Sequence, residues 1–246
     1  NYTLTGQSSS ITINPLALVL TGTPTYTGLA SVNGSYLTAS NKIGADSVTF
    51  TGSATLNGAD LGSQTITSFS GLSVSNSNYT LTGASGAVTI SAAPLIITAN
   101  SQSLSYGSGA TLAATAFTAS GLVNGNTIAD VTIEYRGSTT VPTTLALGTY
   151  AGAIIPSAIV SSGNGFNASN YNISYVSGDL VVSKATLTIT ANNISKTYGD
   201  TVTLTGSEYT VSGLANNETL GSVTLTTSGA AASASVGLSP YNIVPS

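Results

Sequence analysis

Threonine and aliphatic residues alternate through most of this chain, and that alternation limits its fold more than any other feature. Val48-Thr49-Phe50, Thr65-Ile66-Thr67, Val88-Thr89-Ile90, Val131-Thr132-Ile133, Thr186-Leu187-Thr188-Ile189-Thr190 and Ser222-Val223-Thr224-Leu225-Thr226 all have a period of two. A period of two puts Leu, Ile and Val on one face of a strand and Thr on the other. Thr is β-branched, so it suits the solvent face of a pleated strand without carrying charge. Asn33-Gly34, Asn57-Gly58, Asn124-Gly125 and Asn164-Gly165 are expected to supply positive-φ turns between strands. The fold class is therefore all-β, with at most a short helix per repeat. Gly121–Ile128 and Gly213–Leu220 break the alternation. They are expected to form that short helix, or a loop with two apolar anchors.

The alternation also explains an unusual composition. Only 5% of the 246 residues are charged, against roughly 25% in an average soluble chain. The 38 Ser and 39 Thr occupy the places where Lys and Glu usually sit. With four Lys+Arg and a net charge of -4, the chain is not expected to bind nucleic acid through phosphates. The absence of His and Cys removes the common metal ligands and the His-dependent nucleophile systems, so no cofactor and no enzymatic activity are expected. The longest apolar runs, such as Leu16–Leu20, are far short of the ~20 residues of a membrane-spanning helix. No membrane insertion is expected.

Internal repeats set the organisation. Asn-Tyr followed by an apolar residue occurs at Asn1-Tyr2-Thr3-Leu4, Asn78-Tyr79-Thr80-Leu81 and Asn170-Tyr171-Asn172-Ile173. Each is followed by a second strand-like run, at Ile11–Ile13, Val88–Ile90 and Leu180–Val182. A tyrosine beside a glycine also recurs, as Tyr26-Thr27-Gly28, Tyr106-Gly107 and Tyr198-Gly199. These divide the chain into residues 1–14, the closing hairpin of a preceding module, and modules at 15–92, 93–184 and 185–246. The third stops before its own closing hairpin, so the chain reads as a slice of a longer protein. The near-absence of linkers, as at Ser91-Ala92-Ala93 and Ser183-Lys184-Ala185, suggests a semi-rigid rod.

Lys196-Thr197-Tyr198-Gly199-Asp200, after Leu187–Thr190 and before Gly213-Leu214 and Asn217-Glu218-Thr219-Leu220, resembles the MBG family of bacterial adhesin repeats (YGX type). The second module resembles it too, with Ser105 where Thr197 stands. The first resembles the related YDG repeat, with Thr27 in place of the name-giving Asp. The resemblance implies small β modules, β-grasp-like or immunoglobulin-like, in large secreted proteins similar to filamentous haemagglutinin and exported by two-partner secretion. It implies a stalk or biofilm-matrix role in adhesion at the bacterial cell surface. It supplies no catalytic residue.

Candidate sites are few. Tyr2, Tyr79 and Tyr171, and Tyr26, Gly28, Tyr106, Gly107, Tyr198 and Gly199, recur at equivalent positions and are expected to be structural, beneath turns or at junctions. Tyr36, Tyr135, Tyr175 and Tyr209 recur less clearly and are the candidates for stacking on a sugar. The expected partners are neighbouring modules of the same long chain, with a surface polysaccharide or a host or matrix glycan as the possible ligand. A carbohydrate-binding module array is the alternative function. Asp179 and Asp200 flank the second junction and are weak candidates for a shared calcium ion. Lys42, Lys184 and Lys196 raise the question of a Lys–Asn crosslink, which needs a buried lysine beside a carboxylate.

Overall fold

The computed structural model describes residues 1–246. It is almost entirely β, with three single-turn 3₁₀ segments at Gly34–Tyr36, Ala168–Asn170 and Val236–Leu238 and no α-helix. The chain divides into two compact units. One comprises Asn1–Thr98, Phe117–Val131 and Ala158–Val176, and the other Ala99–Ala116, Thr132–Ser157 and Ser177–Ser246. The division runs through the second repeat rather than falling at 92/93 and 184/185. The opening strand of that repeat, Ala93–Ala99, is grouped almost whole with the first repeat, whereas Gln102–Ser105 is grouped with the third.

In the first unit a seven-stranded sheet runs in the order Ser31–Asn33, Phe50–Leu56, Gly62–Ser68, Tyr79–Ile90, Leu16–Gly22 and Leu37–Ala39, with Leu72–Val74 against Phe50–Leu56. The opening strand of the repeat, Leu16–Gly22, lies parallel to its closing strand, Tyr79–Ile90, with Leu16 opposite Tyr79 and Leu20 opposite Gly86. The alternation now has a direction: Leu18, Leu20, Val88 and Ile90 are buried, while the intervening Thr89 faces solvent. Burying each such side chain contributes about 1.5–3 kcal/mol. Gly86 is needed for proximity, because a Cβ there would collide with the Leu20 carbonyl oxygen. The same unit holds a three-stranded sheet in which Tyr171–Val176 runs parallel to Ala93–Ala99, with Tyr171 opposite Ala93. Opening and closing strands thus pair in parallel in both repeats.

In the second unit Gly178–Ser183 lies between two partners. It is parallel to Gln102–Ser105, with Leu180 opposite Gln102, and antiparallel to Gly148–Gly163, with Tyr150 opposite Leu180. The third repeat contributes two short antiparallel pairs, Thr188–Ala191 with Tyr209–Ser212 and Leu225–Thr226 with Val244–Pro245.

Three local expectations are corrected. Gly121–Ile128 and Gly213–Leu220 contain turns, not helices. Asn124 and Gly125 have φ of 51° and 69°, and Asn216 and Asn217 have φ of 51° and 58°. Two successive left-handed residues close a tight turn and cannot continue a right-handed helix. Asn33-Gly34 and Asn57-Gly58 are not positive-φ turns. Asn33 instead caps a 3₁₀ turn by accepting from the Ser35 N–H at 2.9 Å, and Gly34 packs where a Cβ would come within 2.9 Å of Phe50. Tyr135 is buried at the end of a strand whose Val131 and Ile133 share its face.

Candidate functional site

The recurring residues converge on one structural device: a tight turn braced by the closing tyrosine and met by the tyrosine–glycine turn of the repeat before it. The brace occurs twice. In the first repeat the Tyr79 hydroxyl donates to Asp46 Oδ2 at 2.6 Å and accepts from the Ile43 N–H at 2.8 Å. In the second, the Tyr171 hydroxyl donates to Asn126 Oδ1 at 2.7 Å and accepts from the Val123 N–H at 3.3 Å. Both turns are closed by a backbone bond, Asp46 N–H to Ile43 O at 3.1 Å and Asn126 N–H to Val123 O at 3.0 Å. The third repeat has the same closure, Glu218 N–H to Ala215 O at 2.8 Å. The hydrogen bond to the Asp46 carboxylate raises Tyr79 above the ordinary phenol range, and burial does the same to Tyr171.

The joints are built on these turns. Within the first unit, Gly28 has a φ of 76° and its carbonyl accepts from Asn124 Nδ2 at 2.8 Å. A Cβ on Gly28 would lie 2.5 Å from the Asn124 Cβ. The Tyr26 ring meets Tyr171 edge-on, with centroids 5.4 Å apart, and Phe166 stacks on Tyr171 with centroids 5.2 Å apart. Asn170, the partner of Tyr171 in the Asn-Tyr pair, is fully buried. It donates to Asp60 Oδ1 at 2.7 Å and accepts from the Leu61 N–H at 2.9 Å. Every polar atom of that side chain therefore has a use, as a buried amide requires.

Within the second unit the arrangement recurs with different chemistry. Gly107 has a φ of 80°, and a Cβ there would lie 2.1 Å from the Ala215 Cβ. The Tyr106 hydroxyl donates to the Glu218 carboxylate, and Asn216 Nδ2 donates to the Thr143 carbonyl at 3.1 Å. Both tyrosine–glycine turns thus use glycine for its left-handed backbone and for the close approach of the next repeat. Tyr198, the third tyrosine of the set, is exposed.

The other candidates lie apart from these joints. Tyr36 and Tyr175 are exposed and Tyr209 is half-buried. Tyr135 is buried edge-on against Tyr150, with the Arg136 guanidinium 5.5 Å from its ring, so its face is not presented to a sugar. Asp179 accepts from the Gly152 N–H at 2.8 Å and Asp200 from the Thr197 N–H at 3.3 Å. No group of three potential metal-ligating side chains converges on either. Lys42 donates to the Asp46 carbonyl at 3.1 Å and Lys196 to the Asp200 carbonyl at 3.0 Å, both as ordinary hydrogen bonds. No helix is long and apolar enough to cross a membrane.

One carboxylate is strongly perturbed. Glu208 accepts from the Thr205 hydroxyl at 2.7 Å and from the N–H groups of Thr205, Gly206 and Ser207. The Thr205 side-chain hydrogen bond, followed by the Thr205 N–H, holds its pKa down to about 2. A carboxylate lowered by folding stabilises the fold above its unfolded pKa, and that contribution is lost as pH falls toward the folded value. Stability of the wild-type chain is expected to fall between about pH 4.5 and 2 with a contribution from this loop. Glu208→Gln should be less stable at neutral pH and show a flatter acid limb in urea denaturation. Identical slopes for the two proteins would remove Glu208 from the acid response.

Asp46 and Asn126 in the braces, and Asp60, Asn124, Asn170 and Glu218 in the joints, are not among the candidate site residues singled out from the sequence. Asn-Tyr marked Asn170 as recurrent, but nothing local pairs it with Asp60, 110 residues earlier. The spacing from Gly121 to Asn124 and from Gly213 to Asn216 was the usable signal.

No curated protein and no solved structure matches the chain. The description MBG domain (YGX type) matches residues 95–181 and 187–246, the second and third repeats, and leaves the first repeat outside. With those matches covering more than half of its residues and falling on the repeats that carry Tyr106-Gly107 and Tyr198-Gly199, the chain belongs to the MBG domain (YGX type) family.

Proposed function

We propose that this chain is a structural and adhesive repeat region of a large secreted bacterial surface or biofilm-matrix adhesin, exported by two-partner secretion and serving as a stalk. The observation that carries this reading is the joint. The same turn of one repeat meets the same turn of the next at both junctions, through Gly28 with Asn124 and Gly107 with Ala215. A device repeated at successive junctions sets the geometry between neighbours, which is what a spacer needs. The hydroxyl-rich, nearly uncharged surface suits lateral packing in a matrix. The family membership supports the same reading, and the residues brought together here are hydrogen-bonding and packing groups.

Small-angle scattering tests it. The wild-type chain is expected to give an elongated, narrow distance distribution, broadened by Gly28→Val or Gly107→Val because both the backbone and the close approach are then denied. A compact particle that neither substitution alters would overturn the stalk reading. Saturable binding to one glycan, lost on Tyr36→Ala or Tyr175→Ala, would instead establish a carbohydrate-binding array.

A further inference from the structure

The second repeat has chain on both sides of it, so tension along the protein enters that repeat at Ala93 and leaves it at Ser183. While the repeat stays folded, that tension must cross from its opening strands to its closing strands, and the pairing of those strands decides how they are loaded. In the first unit Ala93–Ala99 and Tyr171–Val176 run in the same direction, in six consecutive pairs from Ala93 with Tyr171 to Thr98 with Val176, without a shift of register. In the second unit Gln102–Ser105 and Gly178–Ser183 do the same over four pairs, from Gln102 with Leu180 to Ser105 with Ser183. The Tyr106 N–H carries that ladder one step further by donating to the Ser183 carbonyl at 2.8 Å. The first repeat has the same parallel pairing, but its ladder is divided by a register shift between Ala17 and Val19.

Tension pulls an opening strand back from its N-terminal end and a closing strand forward from its C-terminal end. Two parallel strands loaded in this way are driven past each other along their own axes. The bonds of a parallel ladder are evenly spaced, so all of them are strained together before any can break. Had the closing strand been antiparallel, its exit would lie beside the entry of the opening strand. The same tension would then peel the pair one bond at a time, which takes much less force. One face of each ladder is also shielded from water. Ala93, Leu95, Ile97 and Ala99 are buried beneath the first, and Leu180 and Val182 beneath the second. Water that would replace a strained hydrogen bond is kept from that side, and the low local dielectric strengthens the bonds that remain.

We propose that the parallel pairing of opening and closing strands in the second repeat is a force-bearing clamp, which resists tension along the chain by taking it as shear. The source of the tension rests on the stalk reading above, whereas the clamp is a property of the strand pairing alone. Its effect is on the rate of unfolding under load, which governs forced unfolding, and it asks for no unusual equilibrium stability.

Single-molecule force spectroscopy on the full chain tests this. The chain has no cysteine, so two introduced cysteines define the direction of pull. Pro94→Cys with Val176→Cys loads the first ladder from opposite ends, in shear. Pro94→Cys with Asn172→Cys, at directly paired positions, peels the same ladder from one end. All three side chains are exposed, so neither pair disturbs the core. The shear pair is expected to unfold at a several-fold higher force than the peeling pair, with the same melting temperature for both variants. Ser103→Cys with Ser183→Cys, set against Ser103→Cys with Val181→Cys, repeats the comparison in the second unit, again at exposed positions. Equal forces in the two directions would overturn the clamp whatever the scattering profile. A compact particle whose unfolding force still depends on direction would overturn the stalk and leave the clamp standing.

Discussion

Replacing Tyr171 by alanine is expected to destabilise the first unit by about 3–5 kcal/mol, the range for removing a large buried ring. For a chain of this size that lowers its melting temperature by roughly 10 °C. Three separate losses combine. The ring stacks on Phe166 at 5.2 Å and meets Tyr26 edge-on at 5.4 Å, so its removal opens a cavity under the joint. The hydroxyl is lost to the Val123 N–H. The buried Asn126 side chain loses a donor at 2.7 Å. Tyr171→Phe separates the terms: it keeps the packing and leaves the Asn126 oxygen short of a partner, an expected cost of about 1–3 kcal/mol. Tyr175→Ala, on an exposed ring four residues along, should stay within about 0.5 kcal/mol. Differential scanning calorimetry can follow the three variants and show whether the two units melt separately. A cost below 1 kcal/mol for Tyr171→Ala would mean that the joint is not packed in solution.

Much of this arrangement was legible in the sequence because the alternation is so regular. Val88-Thr89-Ile90 announces a strand with its aliphatic residues inward, and Val88 and Ile90 are buried. The Asn-Tyr pairs mark the closing segments because a bulky anchor followed by period-two packing recurs wherever that packing is reused. The expected closing hairpins do not form: Tyr79–Ile90 is one continuous strand, and Tyr171–Val176 and Gly178–Ser183 pair with Ala93–Ala99 and Gln102–Ser105 rather than with each other. The errors arose where one residue type serves two physical ends. Asn-Gly reads as a positive-φ turn, which Asn124-Gly125 and Asn164-Gly165 are. At Gly34 the missing Cβ, not the sign of φ, is what the fold uses, because Phe50 packs against it. The apolar spacing from Leu122 to Ile128 suggested a helix although the Asn-Gly pair between them already favoured a tight turn. Tyr135, a candidate for sugar stacking, is buried. Val131, Ile133 and Tyr135 fall on one strand face, so the period-two rule itself placed that ring inside. The pairing of Asp60 with Asn170 had no local signal, since the hydrogen bonds form only after two repeats have folded and met.

The second large effect compares one leucine in two settings. Leu95 in the second repeat and Leu187 in the third occupy equivalent opening-strand positions, 92 residues apart. Leu95 is 0% exposed, lying opposite Ile173 of its closing strand, whereas Leu187 is 43% exposed. Leu95→Ala should therefore cost about 2–5 kcal/mol, because the transfer term and the cavity term both apply. Leu187→Ala should cost under about 1 kcal/mol, because its side chain has surrendered little water-exposed area and leaves no enclosed void. Urea denaturation with the tyrosine signal can measure both. Near-equal costs would mean that the third repeat buries Leu187 as fully as the second repeat buries Leu95.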